Sequence, residues 1–417
     1  MKKLNFTNET IKQQLYRGSF GLERETLRVN AGGFLAHTKD PFEKDPNITK
    51  DFCENQIEIV TQVADSPESI VQELRKWHDS VADRLLHLET GPEYIWPFSN
   101  PPFIYGEEDI PIAEFGEALR QKSIYRQYLA AKYGKKKMLF SGIHCNYSFS
   151  EELLAEGYRE SVCPSLQAYK NDLYLELAKR LTQYSWLLVY LMAASPVTDD
   201  SFLDYATVGS RYASARCSEL GYWNDFTPVL SYDSLEDYVA RIQTYVDEGR
   251  LLSASELYYP IRLKPKGENS LNNLLAGGVN HIELRMLDVN PLTPVGIFTE
   301  DVSFIQLLIV YLLSLEEGDF DDETAQIAAI GKMKETAKFN VDMALRQEAL
   351  EVLKGMQDFY VSLSAPAEVL SVLSYQRDKI VTPGKRYADI LRERFEHDYT
   401  QKGLALAKSY IHREAHS

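Results

Sequence analysis

Two glutamates alternate with apolar and basic residues in the segment GLERETLRV, residues 21–29. In an extended strand successive side chains point to opposite faces, so Glu23 and Glu25 share one face and Arg24 lies on the other. Two carboxylates on one face repel each other, and burying them unpaired is costly. A strand with this pattern therefore needs arginines or metal ions opposite it, unless its acidic face is exposed to solvent.

Three further segments, residues 53–61, 138–150 and 280–286, alternate in the same way and predict strands. Their polar faces carry these ionisable residues, with Asp51 just upstream of the first segment: Glu54, Glu58, His144, Glu283 and Arg285. If all four polar faces line one cavity, carboxylates outnumber cationic side chains, and the site needs added positive charge.

Oxygen-rich ligation with a single imidazole favours Mg²⁺ or Mn²⁺ over Zn²⁺. Mg²⁺ held by carboxylates usually also holds substrate phosphates, so two or more ions and a nucleotide phosphate are expected here. Arg285 would then neutralise charge on a transferred phosphoryl group. The residues alone leave a ligase, a phosphotransferase and a metal-dependent phosphohydrolase open.

Charge and motif content exclude other classes of protein. The net charge is −16 and the pI is near 5.1, which argues against binding to nucleic acid or to an anionic membrane. Four cysteines without a CxxC pair fit a reducing cytosol, and the N-terminus lacks the apolar region of a signal peptide, so a cytoplasmic location is expected. No P-loop, GxGxxG, HExxH or GxSxG motif is present.

Helical periodicity surrounds the strands. Helices are predicted from the N-cap Ser66 to residue 90, over 121–133, over 165–195 as one helix or two, over 234–249, and from Asp301 to the C-terminus. Residues 96–115 predict an irregular loop, 204–226 a mixed segment and 257–262 a short strand, with Lys264 in a loop beyond it. The simplest organisation is one domain over 1–417, with a β-rich core at about 16–295 and a mostly helical part at 296–417.

Five motifs stand in order along this core: FGLERETLRV at 20–29, DF at 51–52 with Glu58, SGIHCN at 141–146, ASP at 194–196 and IELR at 282–285. Together they resemble the bacterial-type glutamate–cysteine ligases (γ-glutamylcysteine synthetases), which include the ligase half of bifunctional glutathione-synthesising enzymes. The resemblance implies an α+β fold of the glutamine-synthetase-like group, in which an antiparallel sheet curls into a funnel surrounded by helices.

The resemblance also implies a reaction and its substrates. L-glutamate and ATP would form γ-glutamyl phosphate with the help of Mg²⁺ or Mn²⁺, and the amine of L-cysteine would then attack it in the first step of glutathione synthesis. The implied metal ligands are Glu23, Glu25, Asp51, Glu58, His144 and Glu283. The implied catalytic residues are Glu283 and Arg285, of which Arg285 contacts phosphate. The implied substrate-binding residues are Phe52, Tyr125, Arg126, Asn146, Arg216, Tyr222 and Tyr258, and the aromatic ones among them line the acceptor pocket.

Two features depart from the fullest form of the family. Cys145 stands where the family commonly has an aromatic residue, on the face away from the expected site, so a packing role is expected. No ATP-grasp domain is recognised, so the chain is expected to be either a monofunctional ligase, with a separate glutathione synthetase acting downstream, or one half of a longer design. The alternatives are a ligase of the same fold with another amine acceptor, a metal-dependent phosphohydrolase, and a non-catalytic binding protein. The last is disfavoured because so many like charges would destabilise a fold without cations.

Overall fold

An antiparallel sheet forms the centre of the computed structural model, which describes residues 4–43, 45–203, 211–316, 320 and 322–411. Its strands in the described part of the chain are β1 (Gly18–Asn30), β2 (Ile48–Lys50), β3 (Gln56–Val60), β4 (Glu93–Ile95), β5 (Gly142–Phe149), β6 (Ile261–Lys264) and β7 (His281–Asp288). The strand order is β2-β3-β1-β5-β7-β6, and β4 pairs with the C-terminal end of β1. Every pairing is antiparallel, as the resemblance implies.

Helices cover one face of this sheet, and they also make up most of the chain that follows β7. They are α1 (Glu9–Gln14), α2 (Pro67–Leu86), α3 (Arg120–Tyr133), α4 (Glu151–Arg159), α5 (Leu166–Met192), α6 (Leu235–Asp247), α7 (Leu271–Gly277), α8 (Thr299–Ser314), α9 (Glu323–Thr336), α10 (Met343–Ser362), α11 (Ala367–Val381), α12 (Tyr387–Phe395) and α13 (Tyr399–Ile411). None of the helices described is long and apolar enough to cross a membrane.

Most of the predicted helices are confirmed. The Ser66 side chain caps α2 by accepting from the backbone N–H of Ser69, and Ser234 caps α6 in the same way. The segment predicted as one helix or two over 165–195 contains a single helix, α5, and the mixed segment 204–226 is described only from residue 211 onward. The prediction for Lys264 was wrong, because it ends strand β6 and pairs in register with His281. Strands β2 and β4 were not predicted, since three residues are too few to show an alternating pattern.

The apolar faces of the strands pack against α2 and α5, and α8 and α9 in turn pack against α5 in the same main hydrophobic core. Leu22, Cys145 and Leu284 are neighbours across three strands, and each is fully buried. The packing role expected for Cys145 is therefore confirmed.

The polar face of the sheet is concave. In a flat sheet β3 and β6 would lie about 19 Å apart, since three strands separate them at about 4.8 Å per step. Glu58 of β3 and Arg262 of β6 nevertheless line the same cavity, which has a volume of about 550 Å³. The sheet therefore curls around this cavity, as expected from the resemblance.

Behind the two glutamates of β1, a buried arginine anchors the strand to the helical layer. Arg24 donates from Nη1 to the carbonyl of Pro294 at 2.7 Å and contacts Nδ1 of His78, on α2, at 3.0 Å. Because a guanidinium can only donate, Nδ1 of His78 must accept, so the ring is neutral. Burial lowers the pKa of His78 well below its ordinary value of 6.5, and the charge of Arg24 adds to the shift.

This contact predicts a pH dependence of stability. Below pH 6.5 the unfolded chain takes up a proton at His78 that the folded protein does not, so the free energy of unfolding falls as the pH falls. We expect a slope of up to about 1.4 kcal/mol per pH unit from this group below that value, and its loss in His78→Gln. Chemical denaturation at pH 7.5, 6.5 and 5.5 measures the slope. The exposed His87 provides the control variant His87→Gln, which should keep the wild-type slope. An identical slope in His78→Gln and wild type would contradict the assignment.

Candidate active site

His144 lies at the centre of a cluster of carboxylates on the concave face of the sheet. Its Nδ1 is 3.2 Å from Glu23 Oε2 and 4.0 Å from Glu283 Oε1, and its Nε2 is 3.5 Å from Glu25 Oε1. Strand register explains this arrangement: His144 is paired with Glu23, and Glu25 is paired with Glu58. Side chains that four separate segments of sequence carry on their polar faces therefore meet at one place.

The cluster has the composition of a site for two divalent cations. Glu23, His144 and Glu283 form one set of ligand atoms within 4.8 Å of one another, and Glu25, Glu58 and His144 form a second. Nε2 of His144 is buried without a hydrogen-bond partner. A buried imidazole nitrogen with no partner, surrounded by carboxylate oxygens, fits a hard cation that accepts mixed oxygen and nitrogen ligands.

Charge repulsion within the cluster affects proton binding. Burial raises the pKa of Glu58 well above its ordinary value, and the carboxylates of Glu23 and Asp51 add to the shift. Burial likewise raises the pKa of Glu25. Because these carboxylates are buried close together, their charged forms are disfavoured. A cation bound between them would stabilise the charged forms.

Glu283 is in the opposite situation, because it has cations on both sides. It accepts from Lys264 Nζ at 3.1 Å and from Arg285 Nη1 at 3.1 Å, and it is 1% exposed. Although burial favours its neutral form, Arg285 and Lys264 hold the pKa of Glu283 well below its ordinary value. Arg285 also lies 3.5 Å from Nδ1 of His144, so its guanidinium borders the carboxylate cluster.

Lys264 and Arg262 are cavity residues that the sequence interpretation did not assign to the site. Both point into the cavity from β6, where they alternate with the buried Ile261 and Leu263. The predicted strand at 257–262 overlaps β6 at Ile261 and Arg262, but the observed strand begins after Pro260 and continues to Lys264.

Aromatic side chains line the other end of the same cavity. Phe52, Tyr125, Tyr222 and Tyr258 all contribute to its wall. The rings of Tyr222 and Tyr258 meet edge to face, with centroids 5.0 Å apart. Arg126 lies beside them and donates from Nε to the carbonyl of Asp51 at 2.9 Å. Twelve of the fourteen residues predicted for the site thus line one cavity, and their individual roles stay predictions.

Asn146 and Arg216 are the two that do not line this cavity. Asn146 donates from Nδ2 to Glu23 Oε1 at 2.9 Å, so it supports a carboxylate of the cluster from the side. Arg216 lines a small adjoining cavity with Tyr222 and Arg285, and its guanidinium donates to the backbone carbonyls of Arg285 and Leu287.

The pooled set of carboxylates also included Glu54, and that placement was wrong. Strand β3 begins only at Gln56, so Glu54 precedes the alternating part. Its carboxylate instead bonds to Lys50 Nζ at 3.2 Å and to the backbone N–H groups of Asp40 and Glu114.

Gly142 is required by close packing beneath the cluster. A Cβ atom at this position would lie 2.1 Å from Nη2 of Arg216. Its backbone N–H donates to Glu25 Oε2 at 2.7 Å. A glycine here lets the arginine and the carboxylate approach the same stretch of backbone.

A second cavity of about 400 Å³ adjoins the first and shares Glu23 with it. Its wall combines apolar and polar side chains, among them Phe20, Val60, Asn146, Leu154, Lys170, Asn280 and His281. The two cavities therefore meet at Glu23, while the other residues of the carboxylate cluster line the larger cavity.

Comparison with known proteins agrees with this geometry. The model of the family described as glutamate-cysteine ligase matches residues 4–332. The chain belongs to the glutamate–cysteine ligase family. The match includes the whole sheet and every residue of the carboxylate cluster.

Individual relatives place this chain more closely within the glutamate–cysteine ligase family. It is 34% identical to the glutathione biosynthesis bifunctional protein of Listeria innocua, over 97% of this chain and 56% of that protein. It is 35% identical to the glutamate–cysteine ligase of Clostridium acetobutylicum, over 76% of each. The crystal structure of the glutamate–cysteine ligase of Francisella tularensis in complex with AMP aligns with a TM-score of 0.82 at 25% identity, covering 96% of this chain and 90% of that one. The chain spans about half the length of the bifunctional relatives.

Proposed function

We propose that this chain couples cleavage of ATP to ligation of the γ-carboxylate of L-glutamate with the amine of L-cysteine, the first step of glutathione synthesis. The observation that carries the proposal is the carboxylate–imidazole cluster in the wall of the larger cavity, which meets the smaller cavity at Glu23. A phosphoryl transfer from a nucleotide to an amino acid needs this order: a nucleotide, divalent cations and an acceptor carboxylate.

The chemistry of the walls divides the substrates between the cavities. The larger cavity contains the cations Arg126, Arg262 and Arg285, which suit the carboxylates of two amino acids. Its tyrosine hydroxyls can accept hydrogen bonds from the amines. The smaller cavity combines the apolar Phe20 and Val60 with the cation Lys170, which suits a nucleoside. The structure of the Francisella tularensis ligase is a complex with AMP, which supports a nucleotide as a ligand of this chain.

Mg²⁺ or Mn²⁺ would be held by the two ligand sets that share His144, with Asp51 at the border. When bound, the ions supply neutralisation of phosphate charge and orient the phosphate oxygens. Arg285 adds a guanidinium that can contact the transferred phosphoryl group, and Glu283 keeps that guanidinium in place through the 3.1 Å ion pair.

The reaction would proceed in two steps, phosphorylation of glutamate and then attack by the acceptor amine. A γ-carboxylate oxygen of glutamate attacks the terminal phosphorus of ATP, which forms γ-glutamyl phosphate and releases ADP. The amine nitrogen of cysteine then attacks the carbonyl carbon of this acyl phosphate, a proton leaves the nitrogen, and the C–O bond to inorganic phosphate breaks. Tyr222 and Tyr258 would orient the acceptor, and the curled sheet would exclude bulk water that could hydrolyse the acyl phosphate.

An acceptor screen tests the proposal. Glutamate, ATP and Mg²⁺ are held constant, the twenty amino acids are supplied in turn, and release of ADP is measured. We expect release that requires both glutamate and an amine, with cysteine as the best acceptor.

Other outcomes identify the alternatives. A different best acceptor would mark a carboxylate–amine ligase of another specificity, and ATP cleavage without an amine would mark a phosphohydrolase. For the ligase, the product γ-glutamylcysteine would be passed to a glutathione synthetase activity, as the name of the bifunctional relatives suggests.

A further inference from the structure

A fully buried carboxylate lies outside the cavity and collects donors from a neighbouring helix. Glu256 ends the turn Ala254–Glu256 and is 0% exposed. Its Oε1 accepts from Tyr133 OH at 2.6 Å, Lys132 Nζ at 2.7 Å and Tyr128 OH at 3.3 Å. Its Oε2 accepts from the backbone N–H of Leu252 at 2.6 Å. Four donors on one buried carboxylate make it a strong and directional anchor.

A third segment joins the same network through Asn224. The Asn224 side chain donates to the Glu256 carbonyl at 2.8 Å and lies 3.2 Å from Tyr133 OH. Its Oδ1 accepts from the backbone N–H of Tyr258 at 2.9 Å. Helix α3, the segment 222–224 and the segment 252–258 are therefore tied together at one point.

Each of these three segments supplies one tyrosine to the acceptor end of the cavity. Helix α3 carries Tyr125, and Tyr222 and Tyr258 lie two residues from Asn224 and Glu256 respectively. The ring of Tyr258 contacts both Tyr222 and Tyr133, with centroids 5.0 Å and 5.5 Å away. The separation of the three tyrosines therefore depends on the side chains of Glu256, Tyr133 and Asn224, which do not themselves line the cavity.

We propose that Glu256, acting through Tyr133 and Asn224, is a positioning residue that sets the affinity and specificity for the acceptor amino acid. This inference rests on the proposed function. In the described part of the chain Glu256 contacts no residue of the carboxylate cluster, so its loss should first displace the tyrosines and widen the acceptor pocket. Arg262 is tied to the same segment, but it donates to the backbone carbonyls of Ser255 and Leu257 and not to the Glu256 side chain. We therefore expect the nucleotide and glutamate contacts to stay in place. Small displacements of groups that position a substrate have large kinetic effects.

Steady-state kinetics of Glu256→Gln test the assignment. We expect the KM for the acceptor to rise about tenfold or more, while the KM values for ATP and glutamate stay close to wild type. Discrimination between cysteine and the next-best acceptor should fall as well. Tyr133→Phe keeps the ring but removes the hydroxyl shared by Glu256 and Asn224, so it should show the same change to a smaller extent and is available if Glu256→Gln does not fold.

A matched control separates positioning from general stability. Asp301 on α8 is also a buried carboxylate with a lysine and a tyrosine as donors, Lys379 at 2.9 Å and Tyr387 at 2.8 Å, but it lies among the C-terminal helices. Asp301→Asn should lower the melting temperature without raising the KM for the acceptor.

Two results would overturn the assignment. The first is an unchanged acceptor KM in both Glu256→Gln and Tyr133→Phe, and the second is an equal rise in all three KM values. A wild-type protein whose ATP cleavage needs no amine would instead overturn the proposed function, so the two failures are distinguishable.

Discussion

Glu283→Gln is expected to lower kcat by about 10³-fold while the protein stays folded. The substitution preserves shape and removes one negative charge from a side chain that is 1% exposed. Lys264 and Arg285 would then lose the anion that each contacts at 3.1 Å, and the first ligand set around His144 would lose a carboxylate. Steady-state kinetics with saturating ATP, glutamate and acceptor measure kcat, and circular dichroism monitors the fold.

The same variant should respond weakly to divalent cations. We expect MgCl₂ to raise the melting temperature of the wild-type protein, because ions that bind only the folded state stabilise it by mass action. That increase should be much smaller in Glu283→Gln.

A second buried glutamate of the sheet provides the control for Glu283→Gln. Glu93 on β4 forms a 2.6 Å ion pair with Arg28, and neither side chain lines the cavity. Glu93→Gln should lower stability and leave both kcat and the magnesium response unchanged. If Glu283→Gln retained wild-type turnover, Glu283 would not belong to the catalytic machinery.

Arg285→Lys is expected to lower kcat by about 10³-fold through a different mechanism. Lysine keeps the positive charge next to Glu283, so the charge balance of the carboxylate cluster is preserved. It lacks the planar fork of donors that can contact two oxygens of a phosphoryl group at once. The response of the melting temperature to MgCl₂ should therefore remain, in contrast to Glu283→Gln.

A buried arginine outside the cavity is the matched control for Arg285→Lys. Arg180 on α5 donates to the carbonyls of Leu312 and Leu315 and pairs with Glu176. Arg180→Lys should reduce stability without reducing kcat. A nearly wild-type kcat in Arg285→Lys would transfer the proposed phosphate contact to the neighbouring Lys264 or Arg262, which line the same cavity.

The errors in predicting the site occur at the ends of strands, where the chain leaves regular structure. Glu54 was assigned to the polar face of the strand, but strand β3 begins only at Gln56, two residues later. Lys264 was placed in a loop because the strand was predicted over 257–262, whereas it begins after Pro260 and ends at Lys264. In both cases the backbone hydrogen bonds of a neighbouring strand decide where the strand begins or ends, and a single segment does not contain that information.

The resemblance to a family carried the assignments that the physical pattern could not. Alternation alone led to two or more hard cations and a nucleotide phosphate, and it left a ligase, a phosphotransferase and a metal-dependent phosphohydrolase open. The resemblance added the aromatic residues expected to line the acceptor pocket, which have no periodic signature of their own. Tyr125 lies on a helix and Tyr222 and Tyr258 lie outside the strands, so only the tertiary structure brings their rings together.

The sequence by itself determined which side chains share a face, because the pleat of a strand makes that property local: Glu23 and Glu25 are on one side of β1 wherever the strand is placed. It also determined the helix starts at Ser66 and Ser234 through their capping side chains. The tertiary structure decided that β3 and β6 approach the same cavity, that Asn146 and Arg216 support the site from outside the cavity, and that Glu256 links three segments. These features depend on sheet curvature and on contacts between residues far apart in the chain, which no local pattern specifies.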